Sequence, residues 1–479
     1  MTVNFTFHLS QNLYRPAVYH RRKRKGFALP AAVSLMLPYL LGLGASLFLI
    51  CRGGETDASS SDGSAQQKLA TALMFGVLIN HFLVLLLSDL KSATMAGCFL
   101  SVAALLALAF KKSGVPMVAV RWLVPTLALY LGCCYLVVCD PVSGWDARSI
   151  WFFHAKMIFY NRSVEAGGDW TLPSIAFSHT DYPLLFPILA AQIASVAGYW
   201  NEYLPKMGLV ALLLPAMLLF LSILGGKWWH VIFISLPLLF LGPWLTNGYM
   251  DGYVALYAGF GCFFLGRWLD RWGRLDLISG VLAAGIVLGL KNEGMLYVLV
   301  VTVLVCCFLL LKRGRLSPPG MMRWWEGSSI LFVIASGWIL WEKQKHLFHL
   351  KNDLQLGLGS LVTAQHRLSN GALPVILKHL YVTDNVNLSL GIFLLALVYK
   401  VAKKEHLGCG GPFCMLSALI YFCGIVAIYL ATPFDLMSFH LPTGDRTMLP
   451  VHIMLLAAAF SLFTDRHVGT IENTVQVRG

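Results

Sequence analysis

The chain has 479 residues, of which 57% are hydrophobic and only 12% are charged, and its mean hydropathy is +0.69. Soluble domains carry about 25% charged residues, so this composition excludes a soluble globular protein and predicts an all-α polytopic membrane protein. The formal net charge of +13 is expected from basic cytoplasmic loops and contact with anionic membrane lipids, not from nucleic-acid binding. The 11 cysteines show no metal-ligand spacing, so they indicate neither a metal site nor a disulfide framework.

Residues 1–116 form the first predicted region, a basic tail followed by extra N-terminal membrane segments. The apolar run that follows the basic residues 21–25 is too long for a signal peptide and is predicted to anchor the chain. Further apolar runs recur along the chain and predict about 13–14 membrane segments. These segments are 28–51, 69–89, 95–110, 117–139, 184–200, 207–224, 228–246, 252–268, 277–293, 294–311, 329–341, 386–402, 411–431 and 448–463.

The rest of the chain divides into a central region at 117–311 and a C-terminal region at 312–479. The central region holds the long polar loop 140–183. The C-terminal region holds the polar stretches 342–385 and 432–447. Each of these stretches joins apolar runs, so each is predicted to lie outside the hydrocarbon.

Basic residues at 267–274 and at 400–404 place one set of loops in the cytoplasm by the positive-inside rule. The polar stretches then fall on the extracytoplasmic side. The positive-inside rule does not give a consistent orientation for the N-terminal segments. It puts the start of 28–51 outside, although five basic residues precede that segment.

Two carboxylates, Asp140 and Asp146, follow the apolar run that ends at Cys139. A carboxylate at a membrane boundary can act as a general base toward a hydroxyl group, so both are predicted catalytic residues. Their neighbours Arg148 and Lys156 are candidates for binding phosphate. Alternatively, Asp146 caps the next helix and the cations contact lipid headgroups.

His154 lies in the same stretch, within an aromatic-rich sequence that is typical of an interfacial helix. It is a further candidate for substrate binding. The aromatic residues around it predict that this helix lies along the membrane surface.

Three more polar motifs open or interrupt apolar runs. An ionisable residue beside hydrocarbon is costly unless it is paired or solvated, so such residues are functional candidates by default. The alternatives are a plain loop junction for the first motif, helix capping for the second and a mutual ion pair for the third. The predicted substrate-binding residues in these motifs are His179, Asp181 and Tyr182, then Asp251, then Lys291 and Glu293.

The last polar motif contains Asp435, His440 and Arg446. A guanidinium group is a planar bidentate donor, so Arg446 is predicted to clamp a phosphate or pyrophosphate. Arg446 has an alternative in pairing with Asp445 or Asp435. His440 has an alternative as an ordinary hydrogen-bonding loop residue.

This ordered set of motifs resembles the GT-C glycosyltransferases, in particular the branch of the protein O-mannosyltransferases and the lipid A aminoarabinose transferase. Residues 145–148 are similar to the family's acidic motif, and 182–185 stand in place of its Pro-Pro-Leu segment. Residues 250–252 resemble its later Asp, 290–294 its Lys element and 445–450 its late Arg element.

The likeness covers roughly residues 117–463 and departs from the family in two ways. The segments before residue 117 are not part of the common core. The family's adjacent acidic pair is absent, because Ala147 follows Asp146, so Asp146 is the expected base and Asp140 is its rival.

The resemblance implies a GT-C-like helix bundle whose extracytoplasmic loop carries short interfacial helices. It also implies transfer of a sugar, with inversion, from a polyprenyl-phosphate donor to a glycan, lipid or protein. Lys291 and Arg446 would hold the phosphate, and no cofactor is established. The expected location is a bacterial inner membrane, with the active site facing the periplasm or exterior.

Two other classes of protein compete with this interpretation. A transporter or flippase of lipid-linked sugars also places charges within helices, often with symmetry between two halves. The sequence shows no such symmetry. A polysaccharide ligase or polymerase is expected to have an arginine-rich late loop, whereas 342–385 contains only Arg367.

Overall fold

The computed structural model describes residues 36, 39–45, 62–110, 120–223, 237, 240–311, 324–350, 357–405 and 407–464. Within these ranges the regular structure is helical, and a single isolated β-bridge joins Asp89 to Ser163. The described α-helices are α1 (Asp62–Leu87), α2 (Leu90–Phe110), α3 (Val120–Cys139), α4 (Phe152–Asn161), α5 (Leu185–Ala197), α6 (Met207–Ile223), α7 (Asp251–Arg271), α8 (Arg274–Leu290), α9 (Glu293–Leu311), α10 (Trp324–Leu347), α11 (Leu358–Ser369), α12 (Ala372–Lys378), α13 (Val386–Ala402), α14 (Gly410–Ala431), α15 (Gly444–Thr447) and α16 (Leu449–Thr464).

Several of these helices are long and apolar enough to cross a membrane, which confirms the expected membrane helix bundle. Six stretches of the described chain meet these conditions, or seven if the bent pair Ala372–Thr383 and Val386–Ala402 forms one span. The expected count of 13–14 is not reached within these residues. The six stretches are Ala65–Leu87, Leu90–Ala107, Leu204–Ile223, Glu293–Leu311, Gly410–Ala431 and Leu436–Leu462.

The predicted segments 28–51 and 228–246 lie mostly outside the described residues, and each of the others coincides with a helix. Not all of these helices are long enough to span a membrane. The segment predicted at 184–200 is only the 13-residue helix α5, which ends where Gly198 adopts φ +79°. At 1.5 Å per residue this helix is about 20 Å long, shorter than a hydrocarbon core of about 30 Å.

Helix α7 is the centre of the bundle and packs against α8, α14 and α16. A Cβ atom at Gly259 would lie 2.4 Å from the Cγ2 atom of Ile453, so α7 and α16 approach closely at this glycine. This packing brings the start of α7, at Asp251, to the same end of the bundle as the turn α15 that precedes α16. The candidate site lies at that end.

A separate polar network lies near the other end of α7. Arg267 Nε donates to Asp276 Oδ2 at 2.9 Å, and Arg267 Nη2 donates to Gln67 Oε1 at 2.9 Å. The Gln67 amide donates in turn to Asp276 Oδ1 at 2.9 Å. About 24 Å of helix separates Arg267 from Asp251, so this network and the candidate site are distinct.

The polar loop after α3 folds into short helices, as the aromatic-rich sequence predicted. A π-helical turn at Ala147–Trp151 leads directly into α4. The buried ring of Phe152 packs edge-on against Phe186 of α5, with 5.2 Å between ring centroids. This contact fixes the loop on the bundle and so positions Asp146, which immediately precedes the π-helical turn.

Candidate active site

Asp146 pairs with Arg446 although 300 residues separate them in the chain. Arg446 Nη1 donates to Asp146 Oδ2, and the two side chains are 20% and 18% exposed. The Asp146 side chain makes no capping hydrogen bond to its helix, so the capping alternative is wrong. The guanidinium group also lies over the ring of Tyr249, 5.4 Å from its centroid.

The alternatives for Arg446 are wrong as well. Asp445 Oδ1 accepts a hydrogen bond from the backbone N–H of Arg446 at 2.7 Å and does not pair with its guanidinium. Asp435 accepts from the backbone N–H and the hydroxyl group of Ser438, at 2.7 Å and 2.6 Å. Asp435 therefore stabilises its own turn, and this exposed side chain lies apart from Arg446.

Lys291 bridges two carboxylates in the extended connection between α8 and α9. Its Nζ atom lies 3.0 Å from Asp251 Oδ1 and 3.1 Å from Glu293 Oε1. The Lys291 and Asp251 side chains are only 8% and 5% exposed. The mutual ion pair anticipated for Lys291 and Glu293 is thus present, and Asp251 completes a triad.

The two ion-paired groups form one cluster. Arg446 acts electrostatically on Asp251 as well as on Asp146. We call Asp146, Asp251, Lys291, Glu293 and Arg446 the charge cluster. It holds three carboxylates and two cations, and both Asp251 Oδ2 and Glu293 Oε2 are buried without a hydrogen-bond partner in the described chain.

The motif before α5 borders the charge cluster. Asp181 Oδ2 accepts a hydrogen bond of 2.7 Å from the amide of Asn292, next to Lys291. The His179 ring stacks on Tyr182 at 5.3 Å, and Tyr182 lies within electrostatic reach of Glu293, Lys291 and Asp146. Burial raises the pKa of the Tyr182 phenol, which therefore remains a hydrogen-bond donor.

Asp140 lies apart from the charge cluster. Its Oδ2 atom accepts a hydrogen bond of 2.6 Å from Thr246 Oγ1. The loops 140–147 and 246–251 run side by side, and Gly144 permits their contact, since a Cβ atom there would lie 2.1 Å from the Tyr249 ring. Of the two predicted bases, Asp146 is the one that meets a cation in this cluster.

Two predicted phosphate ligands lie on the surface. Arg148 is exposed. Lys156 pairs with Glu202 at 2.8 Å, and its Nζ atom lies 5.6 Å from the centroid of the Trp200 ring. Both follow Asp146 in the sequence, but the helical turns rotate them away from Arg446, so neither belongs to the charge cluster.

His154 is a core residue and not a member of the cluster. Its ring is fully buried, packs edge-on against Trp170 at 5.0 Å, and lies 3.3 Å from Ser178 Oγ through Nε2. Its Nδ1 atom has no hydrogen-bond partner in the described chain. This site suits a neutral imidazole, and burial lowers the pKa of His154 to about 3.

This burial predicts an acid-dependent loss of stability. The folded protein resists protonation of His154, whereas the unfolded chain binds that proton near pH 6.5. The contribution to stability is therefore complete above about pH 6.5 and declines as the pH falls toward 3. Replacing His154 with Phe should reduce the drop in melting temperature between pH 7 and pH 5, which differential scanning fluorimetry measures. An unchanged drop would contradict this assignment.

His440 is an ordinary hydrogen-bonding loop residue, which confirms the alternative given for it. Its Nε2 atom lies 2.9 Å from Thr432 Oγ1, and its ring packs on Tyr429 at 4.9 Å. The structure therefore connects His440 with the end of α14. It is not brought to Lys291 or Arg446.

Three residues near the cluster were missing from the predicted set. Tyr249 lies under Arg446, Asn292 binds Asp181, and the buried Tyr421 of α14 lies within electrostatic reach of Glu293 and Lys291. Tyr249 and Asn292 lie within two residues of Asp251 and Lys291 in the sequence, so they could have been predicted as neighbours of the site. Tyr421 lies in an unbroken apolar helix, and only the packing of α14 reveals its position.

Among the residues that the structure describes, no group of three or more His, Cys, Asp and Glu side chains is arranged to hold a metal ion. The acidic side chains gathered at the site are the carboxylates of the charge cluster and the phenol of Tyr182. Comparison of the chain with protein-family models, with curated proteins and with solved structures finds no match.

Proposed function

We propose that the protein is a glycosyltransferase of the membrane. It transfers a sugar from a polyprenyl-phosphate donor to an extracytoplasmic glycan, lipid or protein, with inversion. The observation that supports this most strongly is the charge cluster, in which an acidic loop residue, Asp146, pairs with Arg446 beside the buried Lys291 and its two carboxylate partners. Residues from four separate motifs contribute to it.

In the proposed reaction Asp146 is the general base. It removes the proton of the acceptor hydroxyl group, whose oxygen attacks the anomeric carbon of the sugar. The bond from that carbon to the phosphate oxygen breaks, and the phosphate leaves with the electron pair. One displacement of this kind inverts the configuration and needs only one carboxylate.

Arg446 has two roles in this scheme. In the structure its guanidinium group engages Asp146. A guanidinium group binds phosphate oxygens in the same bidentate way as it binds a carboxylate. An arriving phosphate therefore competes with Asp146 for Arg446, and this exchange releases the carboxylate to act as a base only when the donor is present.

Lys291 supplies the second positive charge near the leaving group, and Asp251 and Glu293 hold it in place. Such preorganised charges are worth more in a water-poor site than in solution. The buried oxygens Asp251 Oδ2 and Glu293 Oε2 have no partner in the described chain, so they are available to accept hydrogen bonds from sugar hydroxyl groups.

The position of the cluster also supports a lipid-linked donor. Asp251 begins α7, and Arg446 lies in the turn before α16, so the cluster is at one end of the helices. A polyprenyl chain can remain in the bilayer while its phosphate and sugar reach this end. We propose a bacterial inner membrane, with the cluster facing the periplasm or exterior.

The test is transfer of radiolabelled sugar from a panel of synthetic polyprenyl-phosphate sugars to candidate acceptors by the purified protein. Turnover with at least one donor supports the proposal. Flipping of the same lipids across liposome membranes, without transfer, would reject it in favour of a flippase or transporter.

A further inference from the structure

Asp384 lies at a sharp break in the helices and contacts Gly444, the first residue of the turn α15 that carries Arg446. It follows the π-helical turn His379–Thr383 and precedes α13, where the two helical stretches meet at 64°. The next residue, Asn385, adopts φ +59°. No motif of the sequence pointed to this carboxylate, and the proposed reaction does not use it.

The Asp384 carboxyl group is buried and incompletely paired. Its side chain is 4% exposed, and its Oδ1 atom lies 3.7 Å from His379 Nε2. Its Oδ2 atom is buried and has no hydrogen-bond partner in the described chain. A carboxylate in this position lacks the hydrogen bonds that a buried charge needs, so its neutral form fits better.

This carboxyl group packs directly against the turn that carries Arg446. A Cβ atom at Gly444 would lie 2.3 Å from Asp384 Oδ2, so only a glycine fits there without displacing the carboxyl group. Gly444 is the first residue of α15, and Arg446 is the third. Asp445, between them, acts electrostatically on Asp384 as a like charge.

A hydrogen bond from His452 holds the backbone of Asp384 in place. A change in the charge of Asp384 therefore acts through its side chain. The carbonyl oxygen of Asp384 is 2.9 Å from His452 Nε2, and His452 Nδ1 is 3.0 Å from Ser389 Oγ. The titratable groups that face Asp384 are thus His379 on its own turn, Asp445 on α15, His452 on α16 and, through electrostatics, Tyr429 on α14.

We propose that Asp384 is a proton-sensitive positioning residue. In its neutral form it seats α15 so that Arg446 meets Asp146, and in its ionised form it repels Asp445 and loosens that turn. The consequence for Arg446 rests on the proposed function, whereas the titration of Asp384 does not. Burial raises the pKa of Asp384 to about 6, with Asp445 adding to the effect and His379 opposing it.

Because the pKa of Asp384 is raised in the folded protein, the stability that this residue contributes depends on pH. The unfolded chain loses this proton near pH 4, whereas the folded protein keeps it until about pH 6. The stability contributed by Asp384 is therefore complete below pH 4 and is lost as the pH rises to about 6. A pKa difference of about two units corresponds to about a hundredfold change in the unfolding equilibrium.

The first experiment compares melting temperatures from pH 4.5 to pH 7.5 for the wild type, Asp384→Asn and the control Asp169→Asn. Asp169 is only half-buried and its substitution removes the same charge. We expect Asp384→Asn to melt increasingly above the wild type as the pH rises, and the control to parallel the wild type. Parallel curves for wild type and Asp384→Asn would overturn the proposal.

A second variant keeps the test decisive if Asp384→Asn does not fold. Asp445→Asn removes the like charge but leaves Asp384 in place, so we expect the pH dependence to shift to lower pH. An unshifted curve would contradict the coupling to α15.

The positioning role is tested by the pH profile of sugar transfer. We expect kcat of the wild type to fall above about pH 6, and kcat of Asp384→Asn to lack that fall. If melting curves behave as expected while both enzymes share one transfer profile, the positioning role fails. If no transfer occurs at all, the proposed function fails, and the titration of Asp384 is still decided by the melting curves.

Discussion

Replacing Lys291 with methionine is expected to lower the free energy of unfolding by about 3–5 kcal/mol, because it leaves the buried Asp251 and the partly buried Glu293 without their shared ion-pair partner. Asp251 is 5% exposed, and Glu293 already has one buried oxygen without a partner in the described chain. Methionine fills a similar volume, so lost packing contributes little. Chemical or thermal unfolding in detergent measures the change.

A matched control for this substitution is Lys156→Met. Lys156 also pairs with a glutamate, but its side chain and that of Glu202 are 39% and 57% exposed. An exposed pair is worth about 0–1 kcal/mol, so the control should change stability little. Neutralising both partners of Lys291, in Lys291→Met with Asp251→Asn and Glu293→Gln, should recover part of the loss. Equal effects of the two lysine substitutions would show that Lys291 is not a buried ion-pair centre.

Replacing Arg446 with glutamine is expected to reduce the rate of sugar transfer by about 10²–10³-fold, the usual effect of losing one preorganised charge at a leaving group. The substitution also leaves Asp146 without its partner. Arg446→Lys should restore only part of the rate, because an ammonium group cannot reproduce the bidentate geometry. Initial rates under saturating donor measure both variants.

The control for the arginine substitution is Arg148→Gln. The sequence made both arginines candidates for binding phosphate, but Arg148 is exposed and lies outside the charge cluster. We expect its loss to change the transfer rate by no more than a few-fold. A larger effect for Arg148 than for Arg446 would contradict the assignment of the cluster as the reaction centre.

The sequence was sufficient for the membrane helix bundle because long apolar runs have few structural alternatives. The sequence was a less reliable guide to the number of membrane-spanning helices. The sequence predicted a membrane segment at 184–200, but the helix α5 found there has only 13 residues. Apolarity marks burial in a bundle as well as exposure to lipid, so the two cannot be distinguished from composition alone.

The candidate site was partly predictable for a physical reason. Asp251, Lys291 and Arg446 interrupt or flank hydrocarbon, where an ionisable residue is costly, so each stands out in the sequence. Which carboxylate meets which cation depends on long-range packing, such as the close approach of α7 and α16 at Gly259. The sequence therefore favoured Asp146 as the base but left Asp140 as a rival.

Residues in the aromatic loop were harder to assign. His154 and Lys156 have the residue types of a site, yet one is buried in a core and the other faces Glu202. The direction in which each side chain points depends on its position around the helix. That position is set by the residue at which the π-helical turn ends and α4 begins. Asp384 was overlooked because no apolar run singles it out, and its burial arises from α15.

The central claim is that Asp146 is the base of a sugar-transfer reaction, and substituting each of the two loop carboxylates separately tests it most directly. Purified wild type, Asp146→Asn and Asp140→Asn are assayed for transfer of label from polyprenyl-phosphate sugars. We predict a loss of about 10²–10⁴-fold for Asp146→Asn and a much smaller loss for Asp140→Asn. Loss of turnover in Asp140→Asn alone, with Asp146→Asn fully active, would contradict the account.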